Sequence, residues 1–150
     1  AGGWVGTAAF SSLFPPRGRK RLSTTPSARA DTWAHPLYRA SVDRKDAAGF
    51  AAVFAEDGTL RFGNEEPLHG RPAIEAAIAH FFQAMVSLRH EFTAISSDGD
   101  TLFLEAVVTY HRHDGGVVTV PAMTVFEMNE DFLVRSCRIY VDLAPLFAAS

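Results

Sequence analysis

Residues 101–142 read TLFLEAVVTYHRHDGGVVTVPAMTVFEMNEDFLVRSCRIYVD. Three runs of alternating apolar and polar residues are separated by Asp114-Gly115-Gly116 and Asn129-Glu130-Asp131, residues suited to tight turns. The pattern predicts antiparallel strands at about 101–113, 117–128 and 133–142. One more strand, at about 88–96, leads in through Asp98-Gly99-Asp100. Because side chains alternate across a strand, Leu102, Leu104, Ala106, Val108 and Tyr110 share a face. Val118, Val120, Ala122, Thr124 and Phe126 match them on the next strand, and Leu133, Cys137, Ile139 and Val141 on the last. On the leading strand the same rule groups Leu88, His90, Phe92 and Ala94, which puts His90 inside.

Upstream of the meander the period changes. Residues 35–45 predict a helix with Pro36 near its first turn, where a missing N–H is harmless. Asp46 is placed to cap a short helix over 47–54. Asp57-Gly58 signals a turn into a strand at 59–62. After a loop, Ile74, Ile78, Phe81, Phe82 and Met85 form the apolar stripe of a longer helix, with His80 off that stripe and solvated. Helices followed by a long meander imply an α+β domain, with a curved antiparallel sheet wrapped around about three helices. The domain is expected over 34–150. Residues 1–33, rich in Pro, Ser and Arg and without an acid before Asp31, read as a basic arm.

The opposite sheet face carries Val107, Thr109, His111, Met123, Val125, Arg138 and Tyr140. It is too apolar for a fully wetted surface, which predicts a homodimer through it. The net charge of −3 gives no general attraction to phosphate, so nucleic acid is not an expected partner. No apolar run is long enough to span a bilayer, so no membrane partner is expected and the cytoplasm is the expected location. The single cysteine, Cys137, rules out an intrachain disulfide. His111 and His113 share a strand face without an evident third ligand, so no metal site is expected.

Asp43 is the ambiguous residue. Arg39 lies one helical turn before it, which suits a solvated i, i+4 pair. His90 on the concave face is the rival partner. A carboxylate there would hold the imidazole in one tautomer and leave Nε2 as a base.

The stretches VDRKDAAGFAAVFAEDGTLRF (42–62), LHGRPAIEAAIAHFF (68–82), RHEFTAISSDGDTLFLEAVV (89–108) and RIYVDLAPLF (138–147) resemble the SnoaL-like branch of the nuclear transport factor 2-like superfamily. The likeness covers roughly residues 34–147. It implies a cone-shaped α+β barrel, usually dimeric, with a central pocket between helices and sheet. A ketosteroid isomerase pattern would need acids where Phe62 and Thr124 stand, although Tyr38 matches its oxyanion tyrosine. A limonene epoxide hydrolase pattern would need an interior carboxylate where Ile139 stands. Scytalone dehydratase is the better match: DRKD places Asp43, and RHEF places His90, where that family has an acid orienting a catalytic histidine.

For the second proton-handling position the register admits Tyr110 or His111, and alternation favours Tyr110. The resemblance thus implies His90, Asp43 and Tyr110 as catalytic residues. Tyr38, Phe62, Phe92, Val108, Thr124 and Ile139 would be the substrate-binding lining. The expected activity is cofactor-independent dehydration, isomerisation or cyclisation of a small hydrophobic carbonyl compound. A ligand-binding or assembly module without catalysis is the alternative.

Overall fold

A computed structural model describes residues 28–149. The helices are α1 (Ala28–Ala40), α2 (Ala47–Ala51), α3 (Arg71–Phe82) and α4 (Ala144–Phe147), with a 3-10 turn at Val42–Arg44. The strands are β1 (Phe54–Phe62), β2 (Leu68–His69), β3 (Ser87–Asp98), β4 (Thr101–His111), β5 (Val117–Met128) and β6 (Val134–Val141). They form one sheet in the order β2-β1-β6-β5-β4-β3. The β1–β6 pair is parallel and the others are antiparallel. The chain is thus an α+β domain whose curved, unclosed six-stranded sheet wraps helices on its concave face. The purely antiparallel expectation fails at β1–β6 because the chain returns to β1 after the meander. None of the helices among the described residues is long and apolar enough to cross a membrane.

Residues 1–27 of the expected basic arm lie outside the described residues. The division expected at residue 34 falls inside α1, where Ala30 and Ala34 are fully buried and Trp33 packs edge-on to Phe126 at 5.0 Å. Pro36 therefore sits in the helix interior rather than its first turn, removing one main-chain donor from the ladder. The helix stops at Ala40, so 42–45 does not continue it as the sequence suggested. From α3, Ile74, Ile78 and Phe82 enter the core, joined by Met85 just past the helix end.

The inner face of β4 is as alternation indicates, with Leu102, Leu104, Ala106, Val108 and Tyr110 all buried. Irregularities shift three other strands. In β3 a bulge between Phe92 and Ala94 exposes Ala94 and packs Ile95 against the core instead. In β6 a break in register against β5 puts Val134, not Leu133, in the fully buried set. In β1 the expected turn at Asp57-Gly58 is an irregular segment inside the strand, between Phe54 and Thr59. Gly58 is required there: a Cβ would lie 2.8 Å from the Val134 carbonyl oxygen and 3.0 Å from that of Ala55.

Candidate active site

The turn after α1 decides where Asp43 points. The Ser41 carbonyl accepts from the Arg44 and Asp46 amides at 3.2 and 2.8 Å. Lys45 adopts a left-handed conformation, φ 59°, and its amide returns to the Val42 carbonyl. Its Nζ donates to the Met85 and Val86 carbonyls at 3.0 and 3.3 Å, pinning the turn to the chain that enters β3. Asp46 caps α2 by accepting from the Gly49 amide at 2.9 Å, as expected. Asp43 is thereby off the α1 surface, and its relation to Arg39 is no longer that of one helical turn.

The Asp43 carboxylate instead faces the outer edge of β3. Its Oδ1 accepts from His90 Nδ1 at 2.7 Å, and both oxygens lie 3.2 Å from the His90 main-chain N–H. That amide is available because β3 is an edge strand. The His90 and Asp43 side chains are only 13% and 18% exposed. Since a carboxylate accepts, Nδ1 carries the proton, and the neutral imidazole presents an unprotonated Nε2. The Tyr38 ring stands edge-on to the imidazole, centroids 4.6 Å apart, and to Phe92 at 5.0 Å, which fixes the ring plane.

An apolar cavity of about 40 Å³ lies beside this pair. Tyr38, Phe62, His90, Tyr110, Thr124 and Ile139 all line it. Phe92 does not; it faces a polar cleft on the other side of the pair, also lined by Arg39, Asp43 and Arg89. Nor does Val108, which is opposite His90 in the β3–β4 ladder and 1% exposed within the core. Of the two candidates on β4, Tyr110 enters the cavity and His111 is exposed on the other face. The helix contribution was missed by sequence reasoning. Phe81 and Ile78 also line the cavity, although the α3 stripe signalled only core packing.

Burial dominates the acidity of the site's hydroxyls. Desolvation, helped by the Asp43 charge, pushes Tyr110 up to about 12. Tyr38 is raised further by desolvation and nearby acidic groups, while a hydrogen bond with Thr124 pulls the other way. Both phenols stay protonated at neutral pH and can donate to a developing oxyanion. Cys137, fully buried beneath them, is raised by desolvation and is chemically quiet.

The histidines of the HRH segment have other roles. His113 donates from Nε2 to the Gln83 carbonyl at 2.9 Å, tying the β4–β5 hairpin to the end of α3. No cluster of metal-binding side chains occurs among the described residues. On the convex face Arg138 pairs with Glu127 at 2.6 Å, and Asp142 accepts from the Ala144 amide at 2.9 Å. The hydrogen bond from Arg138 holds the Glu127 carboxyl below its ordinary range. Tyr140 remains 56% exposed on that face.

An unclosed sheet curved over helices, with a small interior cavity, defines the ketosteroid isomerase-like or NTF2-like fold. The chain belongs to the SnoaL-like domain family, whose model matches residues 37–136. No curated protein matches the sequence. Among solved structures, the chain is similar to a ketosteroid isomerase-like protein from Catenulispora acidiphila in complex with trimethylamine. The TM-score is 0.66 at 20% identity, over 81% of this chain and 91% of that one. An NTF2-like protein of unknown function from Burkholderia pseudomallei gives TM-score 0.72 at 16% identity, over 82% and 100%. A protein from Jannaschia sp. CCS1 described as a SnoaL-like polyketide cyclase gives 0.66 at 19%, over 86% and 94%. At these identities the likeness is one of fold.

Proposed function

We propose that the protein is a cofactor-independent lyase, isomerase or cyclase that moves a proton on a small hydrophobic carbonyl compound. The observation that carries this reading is the 2.7 Å contact from His90 Nδ1 to Asp43 beside an apolar cavity. His90 Nε2 takes a proton from the carbon next to the carbonyl, and the enolate oxygen accepts from Tyr110 or Tyr38. The imidazolium, stabilised by Asp43, then returns the proton to carbon or to a leaving hydroxyl. A positioned base of this kind contributes about 10²–10⁴ in rate. The neighbour described as a polyketide cyclase is consistent with a cyclic or polyketide-like substrate.

The test is a screen of neutral aromatic and polyketide-like ketones by thermal shift on wild type and His90→Ala, followed by turnover assays on the hits. A ligand specific to the folded state raises the melting temperature of both proteins. Only wild type should convert it. Equal conversion by His90→Ala contradicts the mechanism.

A second reading, a binding or assembly module, is favoured by the small cavity and by the absence of carboxylates at Phe62, Thr124 and Ile139. In that case hits stabilise the protein and none is converted. Under either reading we propose that the convex sheet face, with Tyr140, Val107 and Met123, pairs with a second copy of the chain.

A further inference from the structure

The cavity beside His90 holds room for about three waters, far less than any hydrophobic carbonyl compound needs. Some part of its wall must therefore move, and three neighbouring hollows mark where it could. A concavity on the convex face shares Ala122 and Val141 with the cavity, and joining the two would part β5 from β6. The polar cleft of about 340 Å³ shares Tyr38 and His90, and opening there would break the 2.7 Å contact that orients the imidazole.

The third hollow is a groove of about 470 Å³ between α3 and the loop at 63–67. It shares Phe62, Ile78 and Phe81 with the cavity. The Phe62 and Phe81 rings are half-buried, 4.9 Å apart and tilted at 51°, and Phe81 reaches Tyr110 at 6.2 Å. Phe62, Phe81 and the buried Ile78 are the side chains common to groove and cavity here. No strand pair or ion pair has to break, and aromatic rotation is a modest motion compared with either alternative. The remaining groove lining is apolar except for Glu65 and Glu66, both exposed at the rim. In the polar cleft, by contrast, Arg39 and Arg89 are matched by Asp43 and Glu91, with Arg89 paired to Glu91 at 3.4 Å, so only the groove offers a rim of one charge sign.

Resting on the small-ligand reading above, we propose that ligands reach His90 through the α3 groove by displacing the Phe62 and Phe81 rings, and that Glu65 and Glu66 select neutral or cationic compounds over anions.

Two naphthalene probes of one scaffold test this by stopped-flow fluorescence: neutral N-phenyl-1-naphthylamine and anionic 8-anilinonaphthalene-1-sulfonate. For the neutral probe, Phe81→Leu should raise the association rate by roughly fivefold or more, and Phe81→Trp should lower it. Opposite effects of a smaller and a larger ring exclude a simple loss of folding, which melting curves check. Ala122→Leu, which fills the cavity and leaves the groove lining intact, should weaken equilibrium binding. The anionic probe should associate more slowly than the neutral one, with a gap that closes in Glu65→Gln/Glu66→Gln and at about 0.5 M salt. Unchanged neutral-probe rates in both Phe81 variants overturn the gate. A rate for the anion that falls in Arg39→Gln/Arg89→Gln and ignores the glutamates moves the entrance to the polar cleft. Binding of neither probe to any variant defeats the pocket reading itself, along with the gate.

Discussion

Asp43 holds His90 twice, through the imidazole Nδ1 at 2.7 Å and through the main-chain N–H at 3.2 Å. One carboxylate thus fixes both the ring tautomer and the edge of β3 on which the ring stands. Removing it leaves two donors without a partner in a largely desolvated place, at about 1–3 kcal/mol. Asp43→Ala should lower the urea midpoint accordingly, whereas Asp43→Asn, which keeps a carbonyl acceptor, should lose less. Equal stability of Asp43→Ala and wild type would show that the contact is not formed in solution.

Alkaline pH should destabilise the fold earlier than surface tyrosines allow. Tyr110 ionises near 10 when unfolded and near 12 when folded, because burial opposes the phenolate. The unfolded chain therefore gives up its proton first as pH rises. Its contribution is fully present below about pH 10 and is lost as pH climbs toward 12, at about 1.4 kcal/mol per pH unit. Tyr38 and Cys137, also raised by burial, act in the same direction. Urea midpoints from pH 8 to 11 should fall steeply at the upper end, and less steeply in Tyr110→Phe. A flat profile would mean the phenol is solvated.

Gly58→Ala should cost about 2 kcal/mol or more, since a methyl group would press on two main-chain carbonyls that cannot step aside. The irregular part of β1 would have to open against β6. Gly99→Ala meets no atom within 4 Å, though its φ of +58° still strains an alanine. A thermal melt should rank Gly58→Ala well below Gly99→Ala, and the reverse order would contradict the packing at Val134.

Tyr140→Glu on the convex face should shift the chain from dimer to monomer in sedimentation while leaving its melting curve in dilute solution nearly unchanged. Val86→Glu, at an exposed position near the end of α3, should leave association as it is. A monomer in the wild-type protein would remove the case for a subunit interface.

Much of the frame was legible in sequence because alternation is a strong signal wherever one sheet face is buried. The inner sets of β4 and β5 follow from it, while the Asp46 cap and the α3 stripe follow from helix-capping chemistry and the 3.6-residue period. What escaped were the bulges near Thr93 and Arg135, because each inserts one residue without changing composition and so flips the parity beyond it. Ala94 and Leu133 were misplaced for that reason, whereas Asp57-Gly58 carries turn chemistry but lies in the irregular stretch of β1 between Phe54 and Thr59. At the site, inward strand positions were readable, and Phe92 and Val108 show the limit: facing inward does not decide which hollow a side chain lines. Asp43 could not be assigned from spacing, since the helix ends at Ala40 and the left-handed Lys45 turns the chain. A lysine in that conformation has no sequence signature.

The orientation of His90 by Asp43 is the central relationship, and imidazole nitrogen shifts read it directly. Two-bond ¹H–¹⁵N correlation spectra of wild type and Asp43→Ala at neutral pH should show a protonated Nδ1 and bare Nε2 in wild type. In the variant that preference should be lost. A wild-type His90 protonated at Nε2, or a tautomer that ignores the substitution, would contradict the pairing and with it the proposed base.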